Sequence, residues 1–162
     1  KAVEAISRIP VDTALIVVGA GPKLKSLQEL AMSLGVDVCF LGEIYDESQL
    51  AWLFLEACAV VSPGKIGLLA IHALAYGTPV ITHDDLDRQM PEVEVISEGL
   101  TGAFFKHGDV ADLAEKMTKF LLDKNKEVRR DQAIARIEAT YTPEAQVAFI
   151  TSALKNKLEG KC

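Results

Sequence analysis

Residues 58–83 read CAVVSPGKIGLLAIHALAYGTPVITH. Two runs rich in β-branched residues, Cys58–Ser62 and Thr78–His83, flank a segment from about Gly67 to Tyr76 whose composition suits a buried helix. Ser62-Pro63 introduces that helix, Gly77 stops it, and Pro79 prevents its return. A connection of this length is too long for a hairpin, so the two strands lie parallel and are joined by a right-handed crossover.

The same grammar extends in both directions. Upstream, Thr13–Gly19 (TALIVVG) is an unbroken run bounded by Asp12 and a glycine turn, which predicts a buried strand of a parallel sheet. A helix is expected from about Lys23 to Leu34, closed by Gly35, followed by a strand in Val36–Gly42. Asp46 and Gln49 form a capping-box pattern for a helix through about Ala57. Downstream, DDLDRQMPEVEVISEGL is irregular, TGAFFK is a short strand, and Asp109 caps a helix from Val110 to about Leu122. Two further helical segments follow, EVRRDQAIARIEATY and PEAQVAFITSALKNKLEG, the second with Thr142 as cap and Pro143 in its first turn. The expectation is an α/β fold in one domain spanning residues 1–162: a Rossmann-like parallel sheet sandwiched between helices, with C-terminal helices. Ligands of such sheets bind beyond the carboxyl ends of the strands, here just after Val18, Phe40, Val61 and Ile81.

Bulk properties narrow the function. The chain has 162 residues, 49% of them hydrophobic, enough for a substantial core. Lys and Arg total 17 against 23 acidic residues, and a net charge of −6 offers no counterion-releasing surface for a nucleic acid. Cys39, Cys58 and Cys162 lack the spacing of a metal knuckle and read as reduced packing residues, which implies a cytosolic setting. The most apolar stretch, Ile66–Tyr76, is much shorter than the roughly 20 residues of a membrane span. No signal peptide opens the chain, and a start at Lys1 directly in a helical pattern, KAVEAISRI, reads as a fragment of a longer protein.

Two loops compete for the chemistry. Gly19-Ala20-Gly21-Pro22 follows a strand as a dinucleotide fingerprint does, but the third glycine is replaced by Leu24, and the acidic candidate Glu43 lies beyond Gly42 rather than at the strand end. An NAD- or FAD-binding Rossmann domain therefore stands as the weakest alternative. In the second loop, Gly64 and Gly67 leave the backbone bare where a helix starts, which suits an anion such as a diphosphate. Lys65 between them is either a charge beside that anion or a solvated lysine. His72 is either a hydrogen-bonded core histidine or a group facing the loop, because it lies on roughly the same helix face as Gly64.

Three segments in order, ALIVVGAGPKLKSLQELAMSLGVDVCFLGEI, LAWLFLEACAVVSPGKIGLLAIHALAYGTPVI and PEVEVISEGLTGAFFKHGDVADLAEKM, together resemble the C-terminal, donor-binding domain of GT-B glycosyltransferases of the retaining family 4 type. That resemblance covers nearly the whole chain. It implies a nucleotide-diphosphate sugar such as a UDP-sugar as donor substrate, no cofactor and no metal. A separate N-terminal domain, outside this sequence, would bind a glycan or lipid-linked acceptor and hold the catalytic residues, which are unknown here. The implied setting is polysaccharide, capsule or cell-envelope glycan synthesis in the cytoplasm, with peripheral membrane association of the full-length protein.

By the same resemblance, the amides of Gly64, Lys65, Ile66, Gly67 and Leu68 line the diphosphate or hexose, and His72 orients the ribose. Phe40, Leu41 and Gly42 hold the base, Gly19 and Gly21 form one rim, and Glu92 survives from a Pro-Glu motif as Pro91-Glu92. The departures matter as much. Both glutamates of the family's E-x7-E motif are replaced, by Gly64 and His72, and a basic pair that neutralises the diphosphate is expected upstream of Lys1. A neutral imidazole cannot take two vicinal hydroxyls as a carboxylate does. The replacements leave two readings open, altered donor contacts or a degenerate, non-catalytic domain used for assembly or sensing.

Overall fold

A computed structural model describes residues 1–158. Cys162 and the last two residues of the final expected helix lie outside them. In chain order the elements are α1 (Ala2–Ile6), β1 (Leu15–Val18), α2 (Leu24–Leu34), β2 (Val38–Gly42), α3 (Glu47–Glu56), β3 (Val60–Ser62), α4 (Leu69–Ala75), β4 (Val80–His83), β5 (Gly102–Phe105), α5 (Val110–Leu121), α6 (Lys126–Thr140) and α7 (Pro143–Leu158). The irregular stretch after β4 holds two 3-10 turns, Leu86–Arg88 and Pro91–Val95.

The local signals act where the sequence puts them. Gly35 ends α2 in the left-handed region at φ 63°. The Asp46 carboxylate accepts the Gln49 N–H at 2.9 Å, and Asp109 accepts those of Ala111 and Asp112. Thr142 Oγ1 accepts the Ala145 N–H at 3.2 Å and so caps α7. Strand lengths are overestimated from sequence, since β1, β3 and β4 each begin two residues later than expected. α4 is also shorter than predicted, because its first turn has no side-chain cap to hold Gly67 and Leu68 in it.

All strand pairs are parallel, as the crossovers require, but they form two sheets rather than one. β1 pairs with β2, while β4 lies between β3 and β5. The inner edge of β1 carries no ladder to β3; a largely apolar cleft of about 810 Å³, lined by both strands, lies between them. β1 is therefore not the buried strand its sequence predicts, and Ile16 and Val18 are exposed. Cys39 is likewise exposed rather than packed, because it sits on the outward side of an edge strand, whereas Cys58 is half-buried and free.

The core is built around β4, every residue of which is buried. Successive strand residues point to opposite faces. Val80 joins Ala70, Ala73, Leu74, Ile96 and Ile137 beneath α4 and α6, and Ile81 joins Ala5, Phe105, Leu113, Met117 and Phe120 beneath α1 and α5. Two glycines permit close approaches there. A Cβ at Gly102 would lie 2.1 Å from the Val80 carbonyl oxygen, and one at Gly77, whose φ is 74°, would lie 2.1 Å from Arg130 Cγ. Among the described residues no helix is long and apolar enough to cross a membrane.

Candidate functional site

The loop from Pro63 to Leu68 leaves β3 at its carboxyl end, and a polar network fixes it against β4. The Ile66 N–H donates to Gln89 Oε1 at 2.8 Å, while Gln89 Nε2 donates to Thr82 Oγ1 at 2.9 Å and to the His83 carbonyl at 3.1 Å. Thr82 Oγ1 in turn donates to the Ser62 carbonyl at 2.9 Å. One amide side chain thus holds a loop 23 residues away in sequence. A half-buried network with its donors and acceptors matched in this way fixes a single backbone geometry.

That clamp sorts the residues expected to line a diphosphate. Ile66 is 1% exposed and its N–H is already bonded to Gln89, so the expectation of a free Ile66 amide is corrected. Gly64 and Lys65 are exposed, as is Leu68, and a Cβ built at Gly64 meets nothing within 4 Å. The first turn of α4 offers little dipole, because the helix is only 7 residues long. The carbonyls of Gly64, Lys65, Gly67 and Leu68 all accept hydrogen bonds, so what this loop presents is their four N–H groups, which have no acceptor among the described residues.

His72 is neither a core histidine nor a side chain turned freely to the loop. Its Nε2 lies 2.8 Å from Glu47 Oε1, on the first turn of α3, and the Tyr76 hydroxyl donates to the same oxygen at 2.6 Å. Phe54 packs edge-on against the imidazole at 4.8 Å between centroids and stacks on Tyr76 at 5.6 Å. The Tyr76 hydroxyl and then His72 hold the Glu47 carboxyl below its ordinary value, and Glu47 raises that of Tyr76. On its other side His72 lines the 810 Å³ cleft with Pro63 and Leu69.

The opening turn is also partly spent. The Gly19 N–H donates to the Gly42 carbonyl at 2.6 Å, which ties the ends of β1 and β2 together and removes that amide from a phosphate cradle. Gly21 accepts from the Leu24 N–H, while Phe40 and Leu41 remain at the end of β2 with Leu41 exposed. Glu92 is half-buried with Oε2 unpartnered among the described residues, and none of the bonds that fix the Pro63–Leu68 loop involves it. At the end of β4, His83 is 2% exposed with Nδ1 unpartnered, its ring 4.6 Å from that of His107. Among the described residues no three His, Cys, Asp or Glu side chains are grouped to hold a metal ion.

Sequence reasoning missed Gln89 and Glu47. Gln89 stands in DRQMPE, and an amide amid charged residues just past a strand end was the available signal. Glu47 gives no such signal, because an acid in the first turn of a helix is expected for helix stability alone.

The model of the family described as "Glycosyl transferases group 1" matches residues 1–138. The chain belongs to that family. Among curated relatives, this group 1 glycosyltransferase domain is 32% identical over 127 residues to a GDP-mannose-dependent alpha-(1-6)-phosphatidylinositol monomannoside mannosyltransferase of Mycolicibacterium smegmatis, covering 72% of this chain and 32% of the relative. It is 28% identical over 143 residues to N-acetyl-alpha-D-glucosaminyl L-malate synthase of Bacillus anthracis, covering 86% of this chain and 36% of that one. The chain thus spans about a third of the length of the curated relatives it matches. The crystal structure of HepE of Anabaena in complex with UDP-glucose superposes with a TM-score of 0.73 at 22% identity, over 98% of this chain and 44% of that one. The fold is accordingly that of a Rossmann-like GT-B glycosyltransferase domain.

Proposed function

We propose that the chain is the donor-binding domain of a retaining glycosyltransferase of the family 4 type. It moves a sugar from a nucleotide-diphosphate sugar to a glycan or lipid-linked acceptor in polysaccharide or cell-envelope glycan synthesis, with no metal required. The acceptor sits on a second domain of the full-length protein. The observation that carries this reading is the Gln89 clamp, which holds the unpaired N–H groups of Gly64, Lys65, Gly67 and Leu68 at the carboxyl ends of β3 and β4. Fixed amides facing open space stabilise a leaving diphosphate as charge develops on it, without reorganising at the moment of reaction. The relatives named above, a GDP-mannose-dependent mannosyltransferase and an N-acetyl-alpha-D-glucosaminyl L-malate synthase, favour the same class.

The test is made on the full-length protein with UDP, GDP and their sugars, and with NAD as the control for the dinucleotide reading. A nucleoside diphosphate is expected to raise the melting temperature, and NAD is not. Gly64→Val is expected to fold, since its Cβ meets nothing within 4 Å, and to weaken donor binding about tenfold by filling the space over the loop. Unchanged affinity in that variant removes the loop from the donor site. The anomeric configuration of the product, read by NMR, decides retention. Nucleotide binding without turnover on any acceptor would favour the degenerate reading, which draws on the loss of both motif glutamates.

A further inference from the structure

Both positions that carry motif carboxylates in the family hold other residues here, yet a carboxylate reaches His72 from a different helix. Glu47 Oε1 takes His72 Nε2 at 2.8 Å and the Tyr76 hydroxyl at 2.6 Å. Among the described residues nothing donates to Oε2, and the Glu47 side chain is 61% exposed. One oxygen is anchored and the other is presented outward. Two tethers on a single oxygen fix a flexible side chain before any ligand arrives, so its ordering cost is already met.

We propose that Glu47, held by His72 and Tyr76, is the carboxylate that accepts hydrogen bonds from the ribose hydroxyls of the nucleotide donor, and so selects ribonucleotides. The proposal rests on the donor-site reading above. A nucleotide with its base at the end of β2 and its diphosphate on the Pro63–Leu68 loop has its ribose between them. Glu47 follows the end of β2 closely in the chain and is bonded to the helix that follows the loop, so it belongs to both neighbours of that space. A carboxylate is a pure acceptor suited to hydroxyl donors, which the imidazole at position 72 is not. His72 and Tyr76 then act as positioning residues, and the carboxylate lost from α4 is supplied by α3.

A purely structural Glu47, tying α3 to α4, makes a different prediction. The experiment measures dissociation constants of UDP and GDP, and of their 2′,3′-dideoxy forms, for the full-length protein and Glu47→Gln. The wild type is expected to bind the ribonucleotide about tenfold more tightly than its dideoxy form, and Glu47→Gln is expected to shrink that gap to about twofold with dideoxy affinity unchanged. Equal weakening of both probes, or a wild type that does not distinguish them, overturns the proposal. A wild type that binds neither nucleotide overturns the donor-site reading and this proposal with it. Should Glu47→Gln fail to melt cooperatively, Tyr76→Phe keeps the ring on Phe54 and removes one tether; a gap narrowed about threefold supports the proposal, and an unchanged gap overturns it.

Discussion

The two sheets of this domain are written in the same grammar and packed very differently. β3, β4 and β5 lie between α4 and α6 on one face and α1 and α5 on the other, and β4 is buried throughout. β1 and β2 form a two-stranded ladder with exposed residues at alternate positions and the cleft along the inner edge of β1. Hydrophobic composition alone does not distinguish LIVV from VITH. What differs is whether a strand has neighbours on both edges, and among the described residues only the β3–β5 half gives its central strand both. The open half forms one wall of a cleft and the dense half carries the clamped loop, so rigidity is concentrated where Gln89 needs an anchor.

The comparison breaks most readily at the glycines. Gly102→Ala drives a Cβ to 2.1 Å from a backbone oxygen that can move only by parting β4 from β5, and is expected to cost about 4 kcal/mol in a urea titration. Loss below about 1 kcal/mol there would mean that the dense half is looser than described. The next largest effect is a paired truncation. Ile81→Ala, in the core cluster around Phe105 and Leu113, is expected to cost about 3 kcal/mol, whereas Ile16→Ala, on the exposed side of β1, is expected to cost under about 1 kcal/mol. Equal losses would show that β1 is buried in solution, for instance by closing its edge onto β3.

The order of strands and helices was legible because its punctuation is local. Gly35, Asp46, Gly77, Asp109 and Thr142 each act within a few residues, through a cap or a left-handed backbone. The gap between β1 and β3 was not legible, since an unbroken apolar run looks the same whether one edge or both are paired. The site was legible in part. Two glycines after a strand end announced the Pro63–Leu68 loop, but the residue that fixes it lies 23 positions away, and no periodic pattern records such a bond. His72 was visible as an oddity on an apolar helix face, whereas its partner Glu47 was concealed among first-turn acids.

The smallest effect sharpens the comparison through pH. The chain has three histidines, His72, His83 and His107, and none lies in the β1–β2 half. His83 is held below the ordinary imidazole value, first by burial and then by the nearby charge of His107, against the opposite pull of Asp85 and Asp84; the Lys1 charge pushes the same way as His107. With the folded value lowered, the unfolded chain takes up the proton first. The stability contributed by neutral His83 is therefore full above about pH 6.5 and is lost as pH falls through that value. One proton limits the slope to about 1.4 kcal/mol per pH unit. Melting curves between pH 7.5 and pH 5 are expected to show this decline in the wild type and a shallower one in His83→Leu, which keeps the backbone carbonyl that Gln89 uses. An identical decline in both chains would place the acid sensitivity elsewhere and leave the unpartnered Nδ1 without an energetic consequence. A shallower decline would tie acid stability to the end of β4, the same point from which Gln89 holds the Pro63–Leu68 loop.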